Sequence, residues 1–214
     1  MARLEAQDAE RGADAERRPR TRLGTVERKE QLLRVGAELF AVQPYDDVWI
    51  GRVAEIAGVS RGLLYHYFPT KRDFFAAVVA REGERLMRMM EPDATLPVED
   101  RLTAALDVYL RYAEHHSQGF RAFHRAAATA DPDIARIYEK HLAEQERRIT
   151  EALAAGPAEA LPPAALRLAV RGWLSFVIAV SLDWLERDDL PRDEVRELCA
   201  RTLLGAVTRW NGSS

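Results

Sequence analysis

The sequence predicts an all-helical protein, and three observations predict it. Apolar residues recur at three- and four-residue spacing along most of the chain. No segment alternates apolar and polar residues for long enough to make a strand. Each periodic run is bracketed by a capping residue, a proline or a glycine. About nine helices follow from this punctuation. The first 24 residues carry charge without an apolar period and predict a disordered leader, in which Arg17, Arg18, Arg20 and Arg22 form a basic approach to the first helix. Thr25 is placed to cap a helix to about Val42, with Leu33, Ala37 and Phe40 on its apolar side. Pro44-Tyr45-Asp46 breaks it. Asp47 is placed to cap a short helix to about Ala57, which Gly58 ends. Ser60 caps a second short helix through about Phe68, and Pro69 stops it. Thr70 with Asp73 reads as a variant capping box that opens a long helix to about Met90. Beyond Pro92 and Pro97, helices are predicted near 98–115, 118–129, 132–155, 163–187 and 192–210. Asp131-Pro132 is an N-cap followed by proline at the first helical position, and Pro162-Pro163 and Pro191 mark the last two starts.

The 214 residues suffice for one or two domains with a real core. The single cysteine, Cys199, cannot close an internal disulfide, which fits a reducing, cytoplasmic setting. The first twenty residues contain no apolar run, so no secretory signal is expected. The most apolar stretch, Leu168 to Leu185, is interrupted by Arg171 and Asp183 and predicts a buried helix, not a membrane span. Charge is distributed unevenly. Residues 17–81 hold twelve Lys or Arg against seven Asp or Glu, whereas residues 82–214 hold seventeen against twenty-two. A basic front and an acidic rear point to an anionic partner at the front.

The two short helices joined by Gly58-Val59-Ser60 form a helix-turn-helix. Helical spacing sends Val59, Leu64 and Phe68 toward a small core with Leu33, Phe40, Val53 and Ile56. Arg61, Gly62, Leu63, Tyr65, His66 and Tyr67 are left outside or at its edge, where such residues need a polar or anionic surface. Duplex DNA supplies one. Tyrosine hydroxyls, an imidazole N–H and the Lys71 ammonium donate to phosphate oxygens, and the helix start at Thr70 offers free backbone N–H groups. Gly62 permits close approach of the backbone. Arg61 suits phosphate or guanine, and Leu63 suits a thymine methyl.

The stretch Val53 to Phe75 closely resembles the helix-turn-helix of the TetR family of bacterial transcriptional regulators. VAEIAGVS, the glycine at 62, LYHYF at 64–68 and Lys71 carry the resemblance, together with the ELF that ends the preceding helical run and Tyr45 after the break. It covers roughly residues 25 to 80. The resemblance implies a homodimer that binds a near-palindromic double-stranded DNA operator, usually as a repressor. It also implies a small-molecule effector in the C-terminal part that shifts the long fourth helix. It divides the chain into the leader 1–24, a DNA-binding domain 25–71, and an effector-binding and dimerisation domain 72–214. It places Val48, Trp49, Arg52, Ser60, Arg61, Gly62, Leu63, Tyr65, His66, Tyr67, Thr70 and Lys71 at the DNA. Three residues depart from the family pattern. Val48 and Trp49 stand where serine or threonine often binds phosphate, and Leu63 stands where a small polar residue is common.

In the C-terminal part, the helix around Leu166 to Leu185 is apolar around most of its circumference and needs burial on two sides. With the last helix it predicts a two-fold four-helix bundle between subunits. The expected interface residues are Leu166, Val170, Leu174, Val177, Ser181, Val195, Leu198, Thr202, Leu203 and Val207. Met87, Met90, Tyr109, Tyr112, Phe120, Phe123, His124, Tyr138, Trp173 and Phe176 combine apolar bulk with a few polar tips and are the expected walls of an effector pocket, suited to a lipid-like or aromatic molecule. His115, His116 and His124 lack a metal-ligand spacing, so neither metal nor cofactor is expected. No nucleophile with a base, and no phosphate-cradling glycine loop, motivates an enzyme. The alternative to a regulator is a helical small-molecule sensor or binding module whose DNA-reading head is altered.

Overall fold

The computed structural model describes residues 24–91, 93–128, 131–156, 158–159 and 161–208. The predicted leader lies outside these, apart from Gly24, as does the expected end of the last helix at residues 209–210. The described residues form nine α-helices and one 3-10 turn, with no strand. The head comprises α1 (Thr25–Val42), the turn Tyr45–Asp47, α2 (Ile50–Ile56) and α3 (Arg61–Tyr67). A long α4 (Lys71–Met89) leads to α5 (Val98–His115), α6 (Ser117–Ala128), α7 (Pro132–Ala154), α8 (Pro163–Arg187) and α9 (Arg192–Thr208).

Local chemistry sets most of these boundaries. Gly58 at φ 65° closes α2, where its N–H donates to the Glu55 carbonyl and that of Val59 to the Ala54 carbonyl. The Ser60 hydroxyl accepts from the Leu63 N–H at 3.1 Å. Thr70 and Asp73 exchange backbone N–H bonds at 3.1 and 3.0 Å, the capping box read from the sequence. Asp131 accepts from the N–H groups of Asp133 and Ile134 at the start of α7. Two caps differ from expectation. Gly24, not Thr25, is the N-cap of α1, and the Glu27 carboxylate accepts the Gly24 N–H at 2.9 Å. Asp47 caps nothing. It sits in the 3-10 turn, and α2 starts only at Ile50 because Val48 turns inward from extended backbone.

The apolar residues form two clusters. The head cluster gathers α1, α2, α3 and the first half of α4, and it continues through Phe74, Phe75, Val78 and Ile134 onto the bundle. The packing therefore carries the head's core beyond residue 71. Phe40 lies 5.9 Å from Tyr45 and 4.9 Å from Phe75 at its centre. Ile56, expected in this core, is exposed instead, as the last residue of α2. The second cluster packs α5, α7, α8 and α9, with the Trp173 indole donating to the Cys199 carbonyl at 2.8 Å. Arg72 joins the two parts by a bidentate pair with Asp131 at 2.6 and 2.7 Å.

The last two helices correct the expected dimer face. Leu166, Val170, Leu174, Val177 and Ser181 on α8, and Val195, Leu203 and Val207 on α9, are buried within the subunit. They have no surface left to offer a partner. Leu198 (48 % exposed) and Thr202 do face outward. On α8 the outward stripe is Leu168 (64 % exposed), Gly172, Ser175 and Ala179, and on α9 Ala206 joins Leu198 and Thr202. By length and composition α8 could cross a membrane. Its inner side, however, belongs to the second core cluster, and Arg171 pairs with Glu139 and Glu146 of α7.

Candidate DNA-reading face and effector cavity

The head presents α3 and the N-terminal end of α4 on one side. Leu64 and Phe68 are buried, which turns Arg61, Gly62, Tyr65 and His66 outward and leaves Leu63 and Tyr67 half-buried. This is the division that helical spacing predicts. Ser60 and Thr70 are exposed caps at the two helix starts. A Cβ at Gly62 would meet nothing closer than the Ser60 hydroxyl at 4.0 Å. Nothing inside the subunit demands glycine there, so the space it leaves faces outward.

Several side chains on this face are held before any partner arrives. Trp49 is 57 % exposed and lies over Gly51, where an added Cβ would come within 2.6 Å of the indole. The Arg61 guanidinium stacks on the same indole at 4.3 Å. Lys71 donates to the Asp46 carbonyl at 3.0 Å and sits 4.6 Å above the Tyr45 ring. That uses one of its three ammonium protons and leaves two. Arg52 is exposed and paired with Glu55 at 2.8 Å. His66 and Tyr67 meet edge to face. Val48 is a correction: it is 1 % exposed, packed in the head core, and cannot reach DNA. Without a hydroxyl at that position, an apolar side chain gains more from the core than from solvent.

Behind the head, α1 and α4 to α9 line a partly open cavity of about 270 Å³. Met87, Met90, Tyr109, Tyr112, Phe120, Phe123, His124, Tyr138 and Trp173 line it. Phe176 does not; it packs beside the cavity on the second core cluster. Phe120, Phe123 and Tyr138 surround His124, with ring centres 4.4, 5.2 and 5.7 Å from its own. Burial pushes the His124 imidazole down to about 4, so it is neutral at ordinary pH. Among the described residues the buried Tyr109 hydroxyl makes no hydrogen bond of good geometry; Ser181 is its nearest polar neighbour and donates to the Val177 carbonyl at 2.7 Å. Burial raises the pKa of Tyr109 and of Tyr112.

Sequence reasoning missed six polar groups on the cavity wall: Glu82, Arg101, His116, His141, Gln145 and Arg148. Glu82 is only 7 % exposed, held by Arg81 and by Arg85 at 2.9 Å, with the Tyr112 hydroxyl 3.4 Å away. Its signal was available: it falls on the apolar stripe of α4 that runs through Phe75 and Val78. Arg101 had no such signal, because it sits in the first turn of α5 among charged residues. Among the described residues no group of three His, Cys, Asp or Glu is placed to hold a metal. His115 and His116 each donate through Nδ1 to a backbone carbonyl one turn earlier.

A helix-turn-helix head with an outward second helix, joined by one long helix to a bundle around an apolar cavity, defines a class of DNA-binding regulator. The comparisons give the family. Residues 32–78 match the bacterial regulatory proteins of the tetR family, and residues 98–205, half of the chain, match the tetracyclin repressor-like C-terminal domain. The chain belongs to the TetR family, whose members are transcriptional regulators and not enzymes. It is 31 % identical over 116 residues to the transcriptional activator FasR of Mycolicibacterium smegmatis, 53 % of each chain. It is 32 % identical over 85 residues to the regulator LuxR of Vibrio harveyi, 40 % of this chain and 42 % of that one. The chain thus spans about half the length of these two relatives. Similarity to the repressor KstR of Rhodococcus jostii runs further: 29 % over 186 residues, 86 % of this chain and 85 % of that one. Among solved structures, a tetR-family regulator from Streptomyces coelicolor superposes with a TM-score of 0.75 at 28 % identity, covering 87 % of this chain and 83 % of that one.

Proposed function

We propose that this TetR-family protein is a dimeric, cytoplasmic repressor that leaves a near-palindromic DNA operator when a small hydrophobic effector enters the cavity. The observation that carries the reading is the double use of α4. Its first turn holds Lys71 at the reading face, and its later turns, from Phe75 through Met87, form a wall of the cavity. A molecule that fills the cavity presses on the helix that positions the head. Because α4 shares its buried residues with α1, the head moves with it. The exposed stripes of α8 and α9 supply a self-complementary surface for a second subunit, and two heads fit a two-fold operator.

One observation favours the alternative, a sensor whose head no longer reads DNA. The buried Val48 and the Trp49–Arg61 stack take the place of a hydroxyl contact. Selection of bound duplexes from a random pool at low ionic strength separates the two readings. The repressor reading expects an inverted repeat protected by one dimer, and affinity that falls steeply with salt. A folded protein that enriches no duplex sinks it.

A further inference from the structure

The cavity has two chemically different ends, and the difference bears on what fills it. This inference rests on the proposed effector role of the cavity and deepens it. Along α4 the wall runs from Phe75 to Met90, about 22 Å at 1.5 Å per residue. The cavity of about 270 Å³ lies along that wall. An extended chain can follow that length.

Near the head the wall is aromatic: Phe40, Phe75, Phe120 and Phe123 with the neutral His124. At the other end three helix ends converge. Gln145 of α7 lies 2.9 Å from the Met87 sulfur of α4, and Arg148 reaches the Met87 carbonyl at 3.5 Å. The start of α5 joins them, since a Cβ at Gly156 would stand 3.8 Å from Val98. Arg101 comes from that first turn. Its Nε is buried, and among the described residues no hydrogen bond or ion pair holds it. Its neighbours three and four residues away are Pro97, Val98, Ala104 and Ala105, so no carboxylate compensates it along its own helix. Arg148 is paired with Glu144, which also holds Arg147, and Arg147 takes Glu151 as well. Those two arginines and two glutamates balance, and the positive charge of Arg101 is left over.

Glu82 marks the contrast. It is the carboxylate on the cavity wall, about 12 Å along α4 from Met90. Arg81 and Arg85 already hold it, so this part of the wall offers a second anion no unpaired cation among the described residues, while an anion between Arg101 and Arg148 would satisfy a buried donor that is otherwise unpaired there. We propose that the cavity binds a single-chain anionic amphiphile, its carboxylate-type head between Arg101 and Arg148 and its tail among the aromatic residues near the head domain.

The test is direct binding to the full-length protein without DNA, by calorimetry and thermal shift. The probes are dodecanoate, dodecan-1-ol and methyl dodecanoate, each below its aggregation concentration. Dodecanoate binds at least about tenfold tighter than either neutral analogue, a difference of about 1.4 kcal/mol. Arg101→Gln removes that preference while leaving dodecan-1-ol affinity unchanged, and Arg101→Lys restores part of it. Equal binding of the three probes, no binding by any, or a preference that survives Arg101→Gln overturns the assignment. Retained dodecan-1-ol binding shows that the variant's cavity is folded, and Arg148→Gln gives an independent second loss. A separate arm adds dodecanoate to the protein–operator complex. Binding without release of DNA counts against the repressor reading and leaves the head-group assignment standing.

Discussion

Arg61 and Trp49 show how much a single pair decides at the reading face. Arginine is flexible in solution, but stacking on an exposed indole removes part of that freedom before DNA arrives. Such a stack is worth about 0.5–1 kcal/mol at an exposed site. Trp49→Ala therefore weakens operator binding roughly two- to fivefold, measured by fluorescence anisotropy, and broadens preference at the base pair that Arg61 faces. Gly51→Ala does the same without touching either partner, because its Cβ displaces the ring. The half-buried Tyr67 and Lys71 beside them act differently. Tyr67→Ala and Lys71→Ala weaken binding to all duplexes and flatten the dependence of affinity on salt, as lost phosphate contacts do. Leu63→Ala instead changes preference at one position in each half-site. An equal loss on every sequence removes Leu63 from base readout.

At the scale of elements, α4 is where the two halves meet, and glycines show how closely. A Cβ at Gly36 of α1 would come within 2.4 Å of the Phe74 ring and 2.8 Å of Val78, all of them buried. Gly36→Ala overpacks this crossing and costs about 1–3 kcal/mol, read as a lower denaturant midpoint. Gly83 likewise lets the His141 ring of α7 lie against α4. The Arg72–Asp131 pair clamps the start of α4 to the start of α7. Arg72, followed by the N–H groups of Ile134 and Asp133, holds the Asp131 carboxyl down at about 2. A depressed folded pKa stabilises above the unfolded value near 4, and that contribution is lost as pH falls through about 2. Asp131→Ala removes clamp and cap together. Acid titration followed by circular dichroism then shows a shallower loss of stability between about pH 4 and pH 2 than in the wild type.

For the whole molecule, the outward stripes of α8 and α9 carry the assembly prediction. Leu168→Glu or Ala179→Glu yields folded monomers by analytical sedimentation. Leu174→Glu instead unfolds the subunit, because it places a charge in the second core cluster. A dimer that persists in both surface variants moves the interface elsewhere. His124 adds a second pH dependence. Its folded pKa of about 4 lies below the unfolded value near 6.5, so the unfolded chain binds the proton first. Stability is complete above about pH 6.5 and falls toward pH 4, with an upper bound of about 3 kcal/mol. His124→Phe flattens this slope in a series of thermal melts.

The sequence by itself determined the helices, the helix-turn-helix and its outward residues, because caps, turn glycines and helical spacing act over three or four positions. Of the ten residues expected in the pocket, all but Phe176 line the cavity, because large apolar side chains on the inner faces of neighbouring helices meet there. Only the tertiary structure decided which side of α8 and α9 faces out. A helix apolar on most sides carries no internal record of which neighbour covers it. The same holds for Val48, whose direction depends on a core assembled from α1 and α4, and for Arg101. That residue reads as one more surface charge until the fold places it on the cavity wall, where among the described residues no carboxylate pairs with it.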